Sequence, residues 1–321
     1  MSKKNDFKKI GIIIAALLVI WAIITIKDKK QGERSFKAYV VKVDTSKVDN
    51  IVISPKNSDK EIVISKTGSV WMMKTTAGKT VQADDGTIDD LLSQVAAMKT
   101  KSVAATSKNK WKDYEVTDSA GTRIILKKGN KKLADFIVGK FSYSQPQGAN
   151  PYMRQNVQMT SYIKISDDKN IYAVDGYAAM LFNRTENAFR ENAIIVGKSE
   201  KWNKIVFNYP ADSSFTLVKQ NNKWMVNGVV ADSNAVDKYF SKIQMLTDNN
   251  YDDTTGINTK QPEISVRIEG DNMQPIVVEG YKTASEGKYV FTSSINRGNA
   301  FVSDKIKNVL FTSKSQFLKN K

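Results

Sequence analysis

Residues 68–98 read "GSVWMMKTTAGKTVQADDGTIDDLLSQVAAM", and residues 221–246 read "NNKWMVNGVVADSNAVDKYFSKIQML". Each has a Trp at the end of a turn, an Ala-Asp step, and then apolar residues at helical spacing. Trp71 matches Trp224, and Ala83-Asp84 matches Ala231-Asp232. Ile88, Leu91, Leu92, Val95 and Met98 match Val236, Tyr239, Phe240, Ile243 and Leu246 at a constant offset. An offset held over five apolar positions marks a repeat, and copies of this length mark tandem domains rather than a solenoid.

The correspondence extends both ways. Upstream, "SFKAYVVKVDTSKVDNIVIS" (residues 35–54) resembles "AFRENAIIVGKSEKWNKIVFN" (residues 188–208), with Phe36 opposite Phe189 and Ile51 opposite Ile205. Downstream, "TRIILKKGNKKLADFIVGK" (residues 122–140) resembles "EISVRIEGDNMQPIVVEGY" (residues 263–281), and both read as β-hairpins. Within each copy a β-branched run is stopped by Pro, which brings no N–H to a ladder. Two strands follow around a Gly- or Asn-rich turn, with the Trp on the second. Asp84 and Asp232 stand at the N-cap of a helix whose apolar residues at i, i+3, i+4 and i+7 must lie on a sheet. The expected fold is α+β: an N-terminal transmembrane helix and two tandem homologous domains, 35–187 and 188–321, each an antiparallel sheet with a packed amphipathic helix.

The transmembrane expectation comes from residues 10–26, "IGIIIAALLVIWAIITI", an uncharged run of about 25 Å as a helix, at the short end of what spans a bilayer core. Lys3, Lys4, Lys8 and Lys9 precede it and Lys27, Lys29 and Lys30 follow, so their ammonium groups can reach both headgroup layers. No small-x-small cleavage step follows it, which makes it an uncleaved signal anchor. The basic tail, residues 1–9, is placed in the cytoplasm, with residues 27–34 a linker and the domains outside, at the cytoplasmic (inner) membrane.

Composition narrows the chemistry. The 321-residue chain has neither Cys nor His, which removes thiol nucleophiles, disulfides, His-containing metal sites and Ser-His dyads. Carboxylate acid/base work, a Ser-Lys pair, Tyr, or an all-oxygen cation site remain. Gly-rich phosphate loops and EF-hand spacing are absent, so neither a cofactor nor a metal is expected.

The net charge of +16 falls more on the first copy than on the second. Lys99, Lys101, Lys108, Lys110 and Lys112, with Lys127, Lys128, Lys131 and Lys132, crowd one segment, either a solvated face or a surface for anionic headgroups or envelope polymer. Nucleic acid is disfavoured, because no binding motif accompanies the charge.

The most function-like residues are Tyr143, Tyr152 and Arg154, around the loop "SYSQPQGANPYMR", which has no apolar period and no counterpart of equal length in the second copy. An Arg beside such a loop can hold a carboxylate or phosphate bidentately. Asp84 and Asp232 read as caps, and Trp71 and Trp224 as core.

With its anchor, "VWMMK", "QADDGTIDDLLSQVAAMKT", "WKDYEV" before "TRIILKKG", then "FIVGK", "YMRQN" and "IYAVDG", the chain resembles a bacterial membrane-anchored family, domain of unknown function 4340, over roughly residues 35–182. At Tyr114-Glu115-Val116 it departs from the family's usual Tyr-Gly-Leu. The resemblance implies an accessory role beside ABC-transporter components of the gliding-motility type, and brings no catalytic residue with it. A membrane-tethered extracytoplasmic binding or scaffold protein is therefore expected; the competing class is a carboxylate-dependent enzyme acting on envelope glycan.

Overall fold

The computed structural model describes residues 39–144, 158–255, 257, 261–285 and 287–319. Residues 10–26, Phe36, Tyr152 and Arg154 lie outside them. Among the described residues no helix is long and apolar enough to cross a membrane.

The chain is sheet-rich α+β. Its first unit runs β1 (Asn50–Ser54), β2 (Ile62–Thr67), β3 (Val70–Lys74), β4 (Thr80–Gln82), helix α1 (Asp85–Ala96), β5 (Thr100–Ala105), β6 (Thr122–Lys128), β7 (Lys131–Ser144), β8 (Gln158–Ile165), β9 (Ile171–Asp175) and α2 (Ala178–Phe182). The second runs β10 (Ala193–Val196), β11 (Trp202–Asn208), β12 (Phe215–Gln220), β13 (Lys223–Val226), β14 (Val229–Val230), α3 (Ser233–Ile243), β15 (Met245–Thr247), β16 (Ile264–Gly270), β17 (Ile276–Lys282), β18 (Tyr289–Ser293), β19 (Asn296–Val302) and α4 (Asp304–Leu310). All paired strands are antiparallel.

The first sheet is ordered β4-β3-β2-β1-β6-β7-β8-β9-β5 and the second β14-β13-β12-β11-β16-β17-β18-β19, one strand order used twice. The register agrees residue by residue. Ile51 faces Ile64 and Leu126, as Ile205 faces Leu217 and Ile268; Trp71 pairs with Lys66, as Trp224 pairs with Lys219. A bridge from Tyr39 to Lys99 in the first unit takes the place of the β10–β15 ribbon in the second. The ninth strand differs: β5 joins the first sheet beside β9, whereas the second sheet meets only a bridge from Tyr251 to Phe301.

Each helix buries the stripe read from the sequence. Ile88, Leu91, Leu92 and Val95 of α1, and Val236, Tyr239, Phe240 and Ile243 of α3, lie in two separate cores. Phe189 belongs to the first core, where it ends a 3-10 turn and its carbonyl accepts the Asp84 N–H; Phe317 does the same for Asp232 in the second. Buried side chains change from one core to the other between Phe189 and Ile194.

Candidate functional site

Asp84 and Asp232 cap α1 and α3 by accepting the Thr87 N–H at 2.6 Å and the Ala235 N–H at 3.2 Å. Each sits in its own unit, engaged by its own helix. Trp71 is buried, with the Lys66 ammonium 5.6 Å from its ring centroid. Trp224 is only half-buried and packs edge-on against Phe240, while the indole filling the second core is Trp202. Trp202 stands on β11, two strands away in the sheet order from the β13 position where the repeat alone would look for it.

The nine lysines are spread over three places rather than one face. Lys99 and Lys101 are at one end of the first sheet, where Lys101 pairs with Asp175 at 2.9 Å. Lys127, Lys128, Lys131 and Lys132 form the β6–β7 turn, and β7 carries the chain roughly 40 Å from there to Tyr143. Lys108, Lys110 and Lys112 lie in the excursion between β5 and β6, where Lys108 covers Trp111 and Lys110 pairs with Asp113. Between Lys101 and Lys127 the chain runs along β5, through the excursion and along β6, so neighbours in sequence reach different surfaces.

Tyr143 stands 74% exposed near the end of β7, opposite Met159 of β8. Lys101, Gln158, Met159, Asp175 and Gly176 line a shallow depression beside it.

The sequence reading missed the joint between the units. Arg190, whose side chain is fully buried, makes a bidentate pair with Asp253 at 2.8 and 3.0 Å and donates to Asn299 Oδ1 at 2.8 Å. Its guanidinium carbon lies 4.0 Å from the Tyr251 ring centroid. Asn299 donates to the carbonyl of Gln82 in the first sheet, and Asn296 to the carbonyls of Glu191 and Ala193. At Gly298, φ is +77° and a Cβ would sit 2.4 Å from the Thr80 carbonyl oxygen, so β4 packs directly onto the backbone of β19. A charged pair, Arg190-Glu191, set between two apolar runs was the available signal. Burial pushes the Glu191 carboxyl up, and Asp84 and Asp85 nearby add to it; its Oε1 accepts the Ala193 N–H at 2.8 Å.

Beside the joint a groove of about 610 Å³ is walled by both units: Lys79 and Thr80 from the first; Thr255, Asn296, Arg297 and Asn299 from the second. Lys79 Nζ donates to the Asp252 carbonyl at 3.3 Å, which ties one wall to the other. Burial works against ionisation of the Asp252 carboxyl, but hydrogen bonds from Thr255 and Thr254 more than offset it and hold the group down to about 2. Arg297 forms no ion pair among the described residues, and its backbone N–H donates to Gln82 Oε1 at 3.1 Å. Two cations with hydroxyls and amides form a lining suited to an anionic or hydroxyl-rich group. A larger groove, about 830 Å³, runs between α3 and the C-terminal turn within the second unit alone. Among the described residues no group of three or more carboxylates converges as a cation site.

No curated protein and no solved structure matches the chain. One family model does, described as Domain of unknown function (DUF4340), over residues 71–262, more than half of the chain. The match begins at Trp71 and ends just before β16, so it takes in parts of both units and crosses the joint.

Proposed function

The chain belongs to the DUF4340 family, and from that membership and the groove shared by the two units we propose a membrane-anchored extracytoplasmic binding or scaffold protein. Residues 10–26 are its signal anchor, residues 27–34 its linker, and residues 35–187 and 188–321 two copies of one module, with Phe189 still packed in the first core. Its partners are envelope proteins, subunits of a gliding-motility-type ABC transporter among them. The observation that carries the reading is a polar groove with walls from both units, beside a joint where Asn299 and Arg297 hydrogen-bond Gln82 of the first sheet. Loops and edges held on rigid sheets are where recognition residues concentrate.

The enzyme reading calls for two carboxylates converging on a cleft. Glu191 and Asp84 each give one carboxylate oxygen to a backbone N–H, of Ala193 and of Thr87, which fits structural roles for both.

Recovery of co-purifying transporter subunits from detergent-solubilised membranes tests the proposal. Arg297→Glu, at an exposed position, is expected to strip those subunits from the protein while its melting temperature stays unchanged. An unchanged set of partners with both Arg297→Glu and Lys79→Glu would overturn the groove as the binding surface.

A further inference from the structure

We propose that the end of the first sheet bearing Tyr143 rests on the lipid surface, with a row of aromatic and methionine side chains in the interfacial layer. The inference rests on the anchor reading above. It starts from the register. Tyr39 bridges to Lys99; Thr100 of β5 pairs with Val174 of β9; Asp175 pairs with Thr160 of β8; and Met159 pairs with Tyr143 of β7. These residues form a line across the ends of four strands, beginning where the N-terminal segment joins the fold. Tyr177 and Met180 follow directly from β9 at the same end.

Tyr39, Tyr143, Met159, Tyr177 and Met180 are 40%, 74%, 40%, 46% and 57% exposed, five of the ten exposed large apolar side chains among the described residues. Scattered exposed apolar residues need no explanation, but five gathered at one end of one sheet, interleaved with the Lys101–Asp175 pair, do. Tyr is suited to the membrane–water boundary, because it has an apolar ring and a polar tip. Met adapts to an irregular apolar surface.

The chain outside the described residues selects lipid as the occupant. Only twelve residues, 27–38, separate the apolar run from Tyr39, so Tyr39, the first member of the row, can stand no further than about 40 Å from the bilayer even with that segment fully extended. The exposed Lys42 and Lys99 flank Tyr39 and add attraction to anionic headgroups. The β6–β7 turn with its four lysines is at the far end of the sheet and takes their charge away from the row.

The chain has no native cysteine, so single thiols can be placed at will. Full-length protein carrying Tyr143→Cys, Tyr177→Cys, Met180→Cys or, as a control, Lys128→Cys is labelled with a fluorophore and reconstituted into phosphatidylcholine/phosphatidylglycerol vesicles containing a headgroup-region quencher. Several-fold stronger quenching at 143, 177 and 180 than at 128 is expected, with the melting temperature of each variant confirming its fold. Equal quenching at all four positions in protein that floats with the vesicles overturns the proposal and leaves the anchor standing. Protein that fails to float with the vesicles overturns both. Labels shielded from aqueous quenchers in native membranes but not in lipid vesicles would make the row a protein interface, and the lipid assignment would fall.

Discussion

Glu115 sits at φ +55°, in the left-handed region that glycine adopts freely. An L-residue there costs about 1–2 kcal/mol relative to its right-handed conformation, and glycine is largely free of the penalty. Glu115→Gly is therefore expected to stabilise the chain by about 1 kcal/mol, raising the melting temperature by roughly 2–4 °C; an equal or lower value would show that the Glu115 contacts offset the backbone cost. Gly298 presents the converse case. Gly78 has φ +83° with open space around its Cα, whereas Gly298 has φ +77° with Thr80 and Val81 backbone in the way. Both Gly→Ala changes incur the conformational cost, and only Gly298→Ala must also separate the units. Denaturant titration should show Gly298→Ala losing about 1–3 kcal/mol more than Gly78→Ala. The caps Asp84 and Asp232 were legible at this scale, because a cap is set by residues three apart. Nothing local foretold Gly298, whose clash is with a strand more than two hundred residues earlier.

Asp135 ties β6, β7 and the turn after β8 together. Burial would raise its carboxyl, but Arg123 at 2.8 and 2.9 Å, Lys132 at 2.8 Å and Ser166 at 2.5 Å hold it well below the ordinary carboxylate range. With the folded value depressed, the contribution is complete above the unfolded value of 3.8 and is lost as pH falls through the folded one. Stability of the native chain should drop more steeply below about pH 4 than that of Asp135→Asn, as read from melting temperatures across pH 2 to 7; parallel curves would contradict the assignment. At this scale the helices, their buried stripes and both hairpins were readable, because each is a short period in one stretch of chain. The lysine-rich segment was not resolved into separate surfaces, since the position of β5 beyond β9, away from β6, depends on pairings made far along the sequence. Tyr152 and Arg154, read as site residues, lie outside the described residues.

For the whole molecule the decisive feature is the joint. Its participants are Gln82, Arg190, Tyr251, Asp253, Asn296 and Asn299, separated by as many as 217 positions, so no periodicity or motif announces them. The repeat was legible because each unit encodes its own core, whereas the contact between the units is specific to one copy of each residue. Removing one partner of a buried ion pair leaves the other charge uncompensated, typically at about 3–5 kcal/mol. Arg190 is bridged to Ala83 of the first unit through its backbone and held to Asp253 and Asn299 of the second through its side chain, so Arg190→Ala should loosen the units from one another while both cores persist. The groove requires the opposite condition in the native chain, two walls held at a fixed separation. Asp90 of α1 and Lys238 of α3 are exposed equivalents on the two helices, and the absence of native cysteine allows a spin label at each. Dipolar distance measurement on full-length Asp90→Cys/Lys238→Cys protein tests the account most directly. One narrow distribution, broadened by Arg190→Ala, is the predicted result; a broad or multiple distribution without that substitution would contradict a rigid pair of modules and the binding surface built across them.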